Sequence, residues 1–396
     1  MSALRLAALA LAAATTLPCL ALAETQAALT PPPGLKFYSP PAEAIPGTPG
    51  SVIWSRKLVG AAALKGAGSN ELVLYRSTSV HDKPIAVSGI VALPKGTAPA
   101  GGWPVITWAH GTVGSADKCA PSRDAIGSPA YKFNQAPHRM LNAFLKEGWA
   151  VVMTDYEGLG TEGPHPYLLG LSEARGVLDI LLAARELHPE ISKKVAIVGH
   201  SQGGQAALFA AAEAKARKDE LELRGVLALA PASFMGTLFW LGTQGDEPGE
   251  GMAFPALFLT GALAGNADLK KEDILSEEGL RLFPEVETKC RVELSKTGSW
   301  GSLIPSKMVK ENANLTPLME ELRKMHPGDL SIDVPVRIVQ GLADERVSPI
   351  QTTLLIEQLT HKGTKIELRV YPLMDHFGVL ARDVENAKNW LKQRLE

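Results

Sequence analysis

The stretch Val195-Ala196-Ile197-Val198-Gly199-His200-Ser201-Gln202-Gly203-Gly204-Gln205-Ala206-Ala207 runs from a short β-branched segment into an alanine-rich one, with Gly-x-Ser-x-Gly between them. Val195–Val198 has the composition of a buried strand, and Gln205–Ala216 that of a helix. On so tight a strand-to-helix turn the serine stands at the apex. The flanking glycines are needed because neighbouring backbone passes too close to admit a Cβ. The helix that follows points its first N–H groups at the serine oxygen and favours negative charge there. Ser201 is therefore the candidate nucleophile.

On both sides of this turn the chain reads as strands and helices in alternation. Strand-like runs lie at Glu71–Val80, Ile85–Leu93, Trp103–Trp108, Trp149–Asp155, Val195–Val198, Leu223–Leu229, Val336–Val339 and Lys365–Tyr371. Helical spacing marks Leu171–Leu187, Gln205–Ala216, Pro349–Leu359 and the series Leu380, Val384, Ala387, Leu391. Hairpins first, then strand–helix alternation, predict an α/β fold: a mostly parallel sheet with an antiparallel edge and helices on both faces. About a hundred residues separate the strand ending near Ala230 from the one starting at Val336, far beyond the usual two to six. Residues 232–334 are therefore expected to form an inserted cap between core segments 51–231 and 335–396. The cap carries an apolar and aromatic stripe that includes Phe239, Trp240, Phe254 and Phe258. It either glues the cap to the sheet or lines an apolar substrate pocket.

Composition narrows the partners. Forty basic residues against 42 acidic leave a net charge of −2, with no extended basic cluster, so a nucleic-acid partner is not expected. Residues 1–23 read as a signal peptide: Arg5, an apolar run Leu6–Leu22 and the A-x-A pattern Ala21-Leu22-Ala23, with cleavage expected after Ala23. Export to the periplasm or the medium follows, leaving Cys119 and Cys290 in an oxidising compartment. The proline-rich residues 24–50 read as an extended arm. The longest later apolar run, Phe254–Ala264, is too short to span a bilayer and contains Pro255.

A nucleophilic serine needs a base, and the base needs an orienting carboxylate. In a sheet of this type they follow in the order serine, acid, histidine, each beyond the C-terminal end of a strand. His376, in Tyr371-Pro372-Leu373-Met374-Asp375-His376-Phe377-Gly378, is the histidine that fits both order and place. Asp344 follows the run Val336–Val339 and is the acid; Asp333 precedes it, at the wrong end, while Glu345 and Asp375 remain substitutes. The backbone N–H groups of Gln202 and of Thr112, in Ala109-His110-Gly111-Thr112, are the expected oxyanion donors. Gly158-Leu159-Gly160-Thr161-Glu162-Gly163 spells a dinucleotide fingerprint, but Pro164 and Pro166 forbid the helix it needs and Glu162 repels a pyrophosphate. No H-E-x-x-H or paired C-x-x-C occurs, and neither metal nor cofactor is expected.

Gly199-His200-Ser201-Gln202-Gly203-Gly204, Asp155-Tyr156-Glu157-Gly158-Leu159-Gly160-Thr161 and His110-Gly111-Thr112 leading to Cys119-Ala120-Pro121-Ser122 together resemble the secretory lipase family of α/β-hydrolases. The resemblance implies a Ser201–Asp344–His376 triad, hydrolysis of small-molecule or lipid carboxylic esters through an acyl-enzyme, contact with a lipid interface, and a cap inserted after the sixth strand of the hydrolase core. It also implies a disulfide from Cys119 to Cys290; a further disulfide of some fungal relatives has no cysteines here. The same triad serves acyltransferases and peptidases, and a silent ligand-binding protein on this fold is the reading of a different class.

Overall fold

The computed structural model describes residues 30–396; the expected signal segment and its cleavage point lie outside the described residues. The strands are β1 Val52–Lys57, β2 Ser69–Thr78, β3 Pro84–Leu93, β4 Trp103–Ala109, β5 Ala150–Thr154, β6 Ile191–His200, β7 Glu222–Leu229, β8 Val336–Gly341 and β9 Ile366–Tyr371. They form one sheet in the order β1-β2-β3-β5-β4-β6-β7-β8-β9. Pairing is antiparallel from β1 to β5 and parallel from there to β9, the α/β fold class that the alternation predicts. β1 escapes the sequence pattern because its register shifts between Val52 and Trp54, which puts Ile53 and Trp54 side by side in the core and breaks the two-residue period.

Successive apolar residues in the central strands face opposite sides, so both faces are covered. Helices Gly170–Leu187, Gln202–Glu213 and Pro349–His361 pack Leu181, Leu208 and Leu355 against Val105, Ile197 and Ile338. Helices His138–Lys146 and Val384–Leu395 pack Phe144 and Leu391 against Ile106, Val198 and Val339. The N-terminal arm is not extended over its described part. It folds into two 3-10 turns, Gly34–Tyr38 and Ala42–Ala44, because Phe37 and Tyr38 are buried beneath the edge of the sheet and Trp54 Nε1 donates to the Phe37 carbonyl at 3.0 Å.

Between β7 and β8 the chain leaves the sheet to build a helical subdomain containing Met235–Gly242, Ala253–Gly265 and Thr316–Lys324. It has its own core of Met235, Phe239, Leu257, Trp300, Leu318 and Leu322. Cys119, beyond β4, is bonded to Cys290 in this subdomain with a Cα–Cα distance of 5.6 Å. Beside the bond, the Arg291 N–H donates to the Val113 carbonyl at 2.8 Å. No helix among the described residues is long and apolar enough to cross a membrane.

Candidate active site

The strand order reverses where β4 lies between β5 and β6, and loops leaving the C-terminal ends of strands diverge at such a point to open a crevice. β4 and β6 run side by side to the pair Ala109 and Gly199, so the loop carrying Thr112 and the turn carrying Ser201 leave the sheet as neighbours. Ser201 has φ +60° and ψ −118° and precedes the helix Gln202–Glu213. A non-glycine residue held there costs on the order of 1–3 kcal/mol and needs an over-determined setting. The setting is supplied by hydrogen bonds from the Ser201 N–H to the Leu229 carbonyl at 2.9 Å and from the Ala232 and Gln205 N–H groups to the Ser201 carbonyl at 3.0 and 3.1 Å. A Cβ on Gly199 would lie 1.9 Å from the Gly203 carbonyl oxygen, and one on Gly203 1.9 Å from that of Ala109.

The loop after β4 packs against this turn so closely that a Cβ on Gly111 would sit 3.5 Å from that of Ser201. Among the described residues no carbonyl accepts from the N–H of Thr112 or of Gln202, which leaves both free to donate to a developing oxyanion. Thr112 is braced through its hydroxyl, 2.6 Å from the Tyr167 hydroxyl. His110 is fixed behind it by contacts of its ring nitrogens with the carbonyls of Gly111 and Asp155 at 2.8 and 3.3 Å, and burial lowers its pKa to about 4.

Gln202 is braced by its side chain, whose Nε2 donates to Glu173 Oε1 at 2.7 Å and lies 3.3 Å from His165 Nε2. Glu173 also accepts from the Leu168 N–H at 3.0 Å, while its second oxygen is sealed without a partner. Burial raises Glu173 to about 8 against these hydrogen bonds and lowers His165 to about 4, so both are neutral at pH 7. Glu173 therefore holds a proton in the folded chain at pH values where the unfolded chain has released it. Its contribution to stability is full below the ordinary carboxylate range and is lost as pH rises through about 8. Glu173→Gln is expected to leave the melting temperature near wild type at pH 5 and raise it relative to wild type at pH 8.5. Parallel melting curves at both pH values check this against an equal shift, which would mean that Glu173 does not titrate in this window.

His376 comes from the far side. β9 lies three strand spacings from β6, roughly 14 Å, so the loop after β9 must travel back across the ends of β8 and β7. Gly341 permits the crossing, because a Cβ there would lie 2.2 Å from the Met374 carbonyl oxygen. The loop is anchored at the elbow: His200 Nε2 donates to the His376 carbonyl at 2.7 Å, and the two rings are 4.5 Å apart. His376 Nδ1 meets Asp344 Oδ2 at 2.7 Å, while Asp344 Oδ1 accepts the N–H groups of Arg346 and Val347, each at 2.9 Å. Burial pushes this carboxyl up, but the bond and charge of His376 and the two N–H donors outweigh it and hold Asp344 below the ordinary range. Glu345 and Asp375 are exposed, and Asp375 accepts from the Gly378 N–H instead. Asp333 is paired at the surface with Lys215. The structure thus joins Asp344 to His376 and brings His376 against the residue preceding Ser201; no hydrogen bond joins Ser201 Oγ to the imidazole in this conformation.

The aromatic stripe of the cap divides. Phe239 and Phe258 are buried in the cap's own core, and Trp240 is 52% exposed. The helix of Phe239 and Trp240 turns its inner face to Leu318 and Leu322 rather than to the sheet. Phe258 stacks on Tyr167, the residue bracing Thr112, at 6.2 Å, and Phe254 lies 6.5 Å from Phe258. The Gly158–Gly163 segment is a turn packed on Pro164, with no helix opening from it. Asp155, at its start, accepts from Ser88 Oγ at 2.6 Å and from the N–H and hydroxyl of Ser122, tying it to the Cys119-Ala120-Pro121-Ser122 segment. Sequence reading missed Glu173, His165 and Tyr167 as supports. A carboxylate inside the apolar helical run Leu171–Leu187 was the available signal for Glu173.

Residues 132–396 match the family model described as Secretory lipase. A protein of Mycobacterium tuberculosis (strain CDC 1551 / Oshkosh) named a probable inactive lipase is 28% identical over 212 residues, 51% of this chain and 46% of that protein, so the chain spans about half the length of this relative. Lipase A of Arthroderma benhamiae is 23% identical over 394 residues, 94% of this chain and 81% of that one. The X-ray structure of Candida antarctica lipase A superposes with a TM-score of 0.76 at 21% identity, covering 92% of this chain and 87% of that one, and so shares the fold.

Proposed function

The chain belongs to the secretory lipase family, and we propose that it is a secreted serine carboxylic ester hydrolase of the esterase and lipase type, working through an acyl-enzyme. The observation that carries this reading is the Asp344–His376 hydrogen bond of 2.7 Å delivered to the elbow that holds Ser201. Ser201 attacks the ester carbonyl, His376 takes its proton and returns it to the leaving alcohol, and Asp344 holds the imidazole with its proton on Nδ1. The N–H groups of Gln202 and Thr112 receive the oxyanion, and water releases the acid by the same steps. The Ser201–His376 hydrogen bond is not formed in this conformation, and such bonds are often loose before substrate binds. The opposing reading is a silent ligand-binding protein, favoured by the relative named inactive. A covalent serine probe separates the two: labelling of Ser201 together with turnover of nitrophenyl esters supports hydrolysis, and neither supports the silent protein.

Phe254 and Phe258 form the apolar wall that receives the acyl chain. Phe258→Ser is expected to lower kcat/KM for octanoyl nitrophenyl ester more than for acetyl, since each buried methylene contributes about 0.8 kcal/mol. Running the same chain-length series beside an emulsified triglyceride separates esterase from lipase. Equal losses at every length would make the pair cap packing only.

The Cys119–Cys290 bond ties this cap to the loop that carries Thr112. It closes a separation of 171 residues, for which the chain-entropy model allows up to about 5 kcal/mol of stabilisation, with measured values often smaller. Cys290→Ser is expected to lower kcat as well as the melting temperature, and mild reduction of the wild type to lower kcat before the sheet unfolds. Activity followed alongside circular dichroism during reduction checks this; a variant with unaltered kcat would uncouple the bond from the site.

A further inference from the structure

Arg291 stands in the wall of the cap that faces the loop after β4, and it is a nearly buried cation without an anion. Its exposure is 4%. No carboxylate lies within 4.0 Å of it, and no side-chain or backbone acceptor takes a hydrogen bond from its guanidinium among the described residues. What surrounds it is aromatic: the guanidinium carbon lies 4.2 Å from the centre of the Phe133 ring and 5.8 Å from that of Phe254. Ring faces attract a cation but offer no acceptors for five N–H donors, so this is an arrangement that burial alone disfavours. Atoms sealed from solvent without a partner occur elsewhere, Trp300 Nε1 and Arg337 Nε among them, but no Arg291 nitrogen is one of these. The guanidinium therefore meets accessible space.

Arg291 adjoins the elements that carry the proposed catalytic groups: its main-chain N–H donates to the carbonyl of Val113, the residue after Thr112. Phe133, on which Arg291 lies, meets Phe377 in a tilted ring contact at 5.2 Å, and Phe377 in turn meets the rings of His376 and His200 at 5.2 and 5.5 Å. Arg346 lies over the same Phe377 ring at 5.6 Å, is exposed, and forms no ion pair among the described residues. The other groups within electrostatic reach of Arg291 are Tyr167, hydrogen-bonded to Thr112, and the exposed Glu250. Burial and the neighbouring Arg346 lower Arg291 only to about 10, so it keeps its charge at neutral pH. Two guanidinium groups without a carboxylate partner among the described residues thus flank the Phe133 and Phe377 rings beside His376, and Arg291 lies against Phe254 as well.

We propose that Arg291, with Arg346 at the rim, is a carboxylate-binding subsite, and that the preferred substrates are esters carrying a carboxylate at the far end of one of their chains. The proposal rests on Ser201 being an ester-hydrolysing nucleophile and adds the substrate class. The planar guanidinium suits a carboxylate because two parallel N–H groups meet its two oxygens, and the desolvation has already been incurred in the free protein. Phe254 would pack along the methylenes between that carboxylate and the scissile ester.

The test compares the mono-4-nitrophenyl ester of suberic acid with its methyl-capped diester, which has the same chain and no charge. Wild type is expected to show a kcat/KM at least tenfold higher for the hemiester, expressed mainly in KM. Arg291→Met, which keeps much of the side-chain volume, should reduce kcat/KM for the hemiester at least tenfold more than for the diester, with Arg291→Lys between. Equal kcat/KM for the two esters in wild type would overturn the proposal, whatever any variant does. Should Arg291→Met fail to fold, Arg346→Gln and the wild-type ratio carry the test, the former lowering the hemiester preference. If neither ester is turned over, the hydrolase reading has failed and not this one; calorimetric titration of suberate then decides, with binding weakened in Arg291→Lys supporting the subsite and no binding to wild type refuting it.

Discussion

Ser201→Ala is expected to abolish ester hydrolysis while leaving the fold intact. Removal of the nucleophile in serine hydrolases lowers kcat by about 10⁶, and the loss here should approach that figure. The structure says why so large an effect comes without collapse. Ser201 Oγ makes no hydrogen bond to the imidazole in this conformation, so the substitution leaves no stranded partner in the Asp344–His376 pair. The strained φ of +60° is held by main-chain bonds to Leu229, Gln205 and Ala232, all of which alanine preserves. Steady-state turnover of a short nitrophenyl ester, with the melting temperature as control, is the measurement. Retained turnover with an unchanged melting curve would remove Ser201 from the mechanism.

The second large effect is expected from Asp344→Asn. The carboxylate's Oδ1 is occupied by the N–H groups of Arg346 and Val347, and Oδ2 faces His376 Nδ1. In the asparagine variant the two N–H donors hold the amide oxygen and turn the NH₂ group toward the imidazole. His376 must then accept at Nδ1 and carry its proton on Nε2, which leaves it unable to take the proton of Ser201. A substitution of this kind in a serine protease costs about 10⁴ in kcat, and a loss of that order is expected here with KM little altered. Asp375→Asn and Asp333→Asn should cost far less, since one carboxylate accepts the Gly378 N–H at the surface and the other pairs with Lys215. Measured kcat values in the reverse order would move the acid elsewhere.

The nucleophile turn and the alternating core were readable along the chain because the features that define them are local. A β-branched run, glycines two residues either side of a serine and an alanine-rich helix all fall within a few turns of backbone, and the two-residue and 3.6-residue periods report burial directly. β1 was missed where that period breaks at Trp54. In the same way, the prolines of residues 24–50 predict an extended arm, whereas the burial of Phe37 and Tyr38 against a strand later in the chain folds its described part into turns.

What lay beyond the sequence depends on segments that meet only after the chain has returned on itself. Asp344 is the acid expected from its place after β8, with Glu345 and Asp375 as substitutes, and the crossing of the β9 loop over Gly341 is what sets Asp344 against His376. Phe239 and Phe258 look alike in an aromatic stripe and are both buried in the cap, yet packing sets only Phe258 against Tyr167, the residue that braces Thr112. Arg291 is one cation among forty in the sequence. Its lack of an anion is a statement about everything around it, because pairing and desolvation are properties of a place in space, and the chain acquires such places only when distant segments close around them.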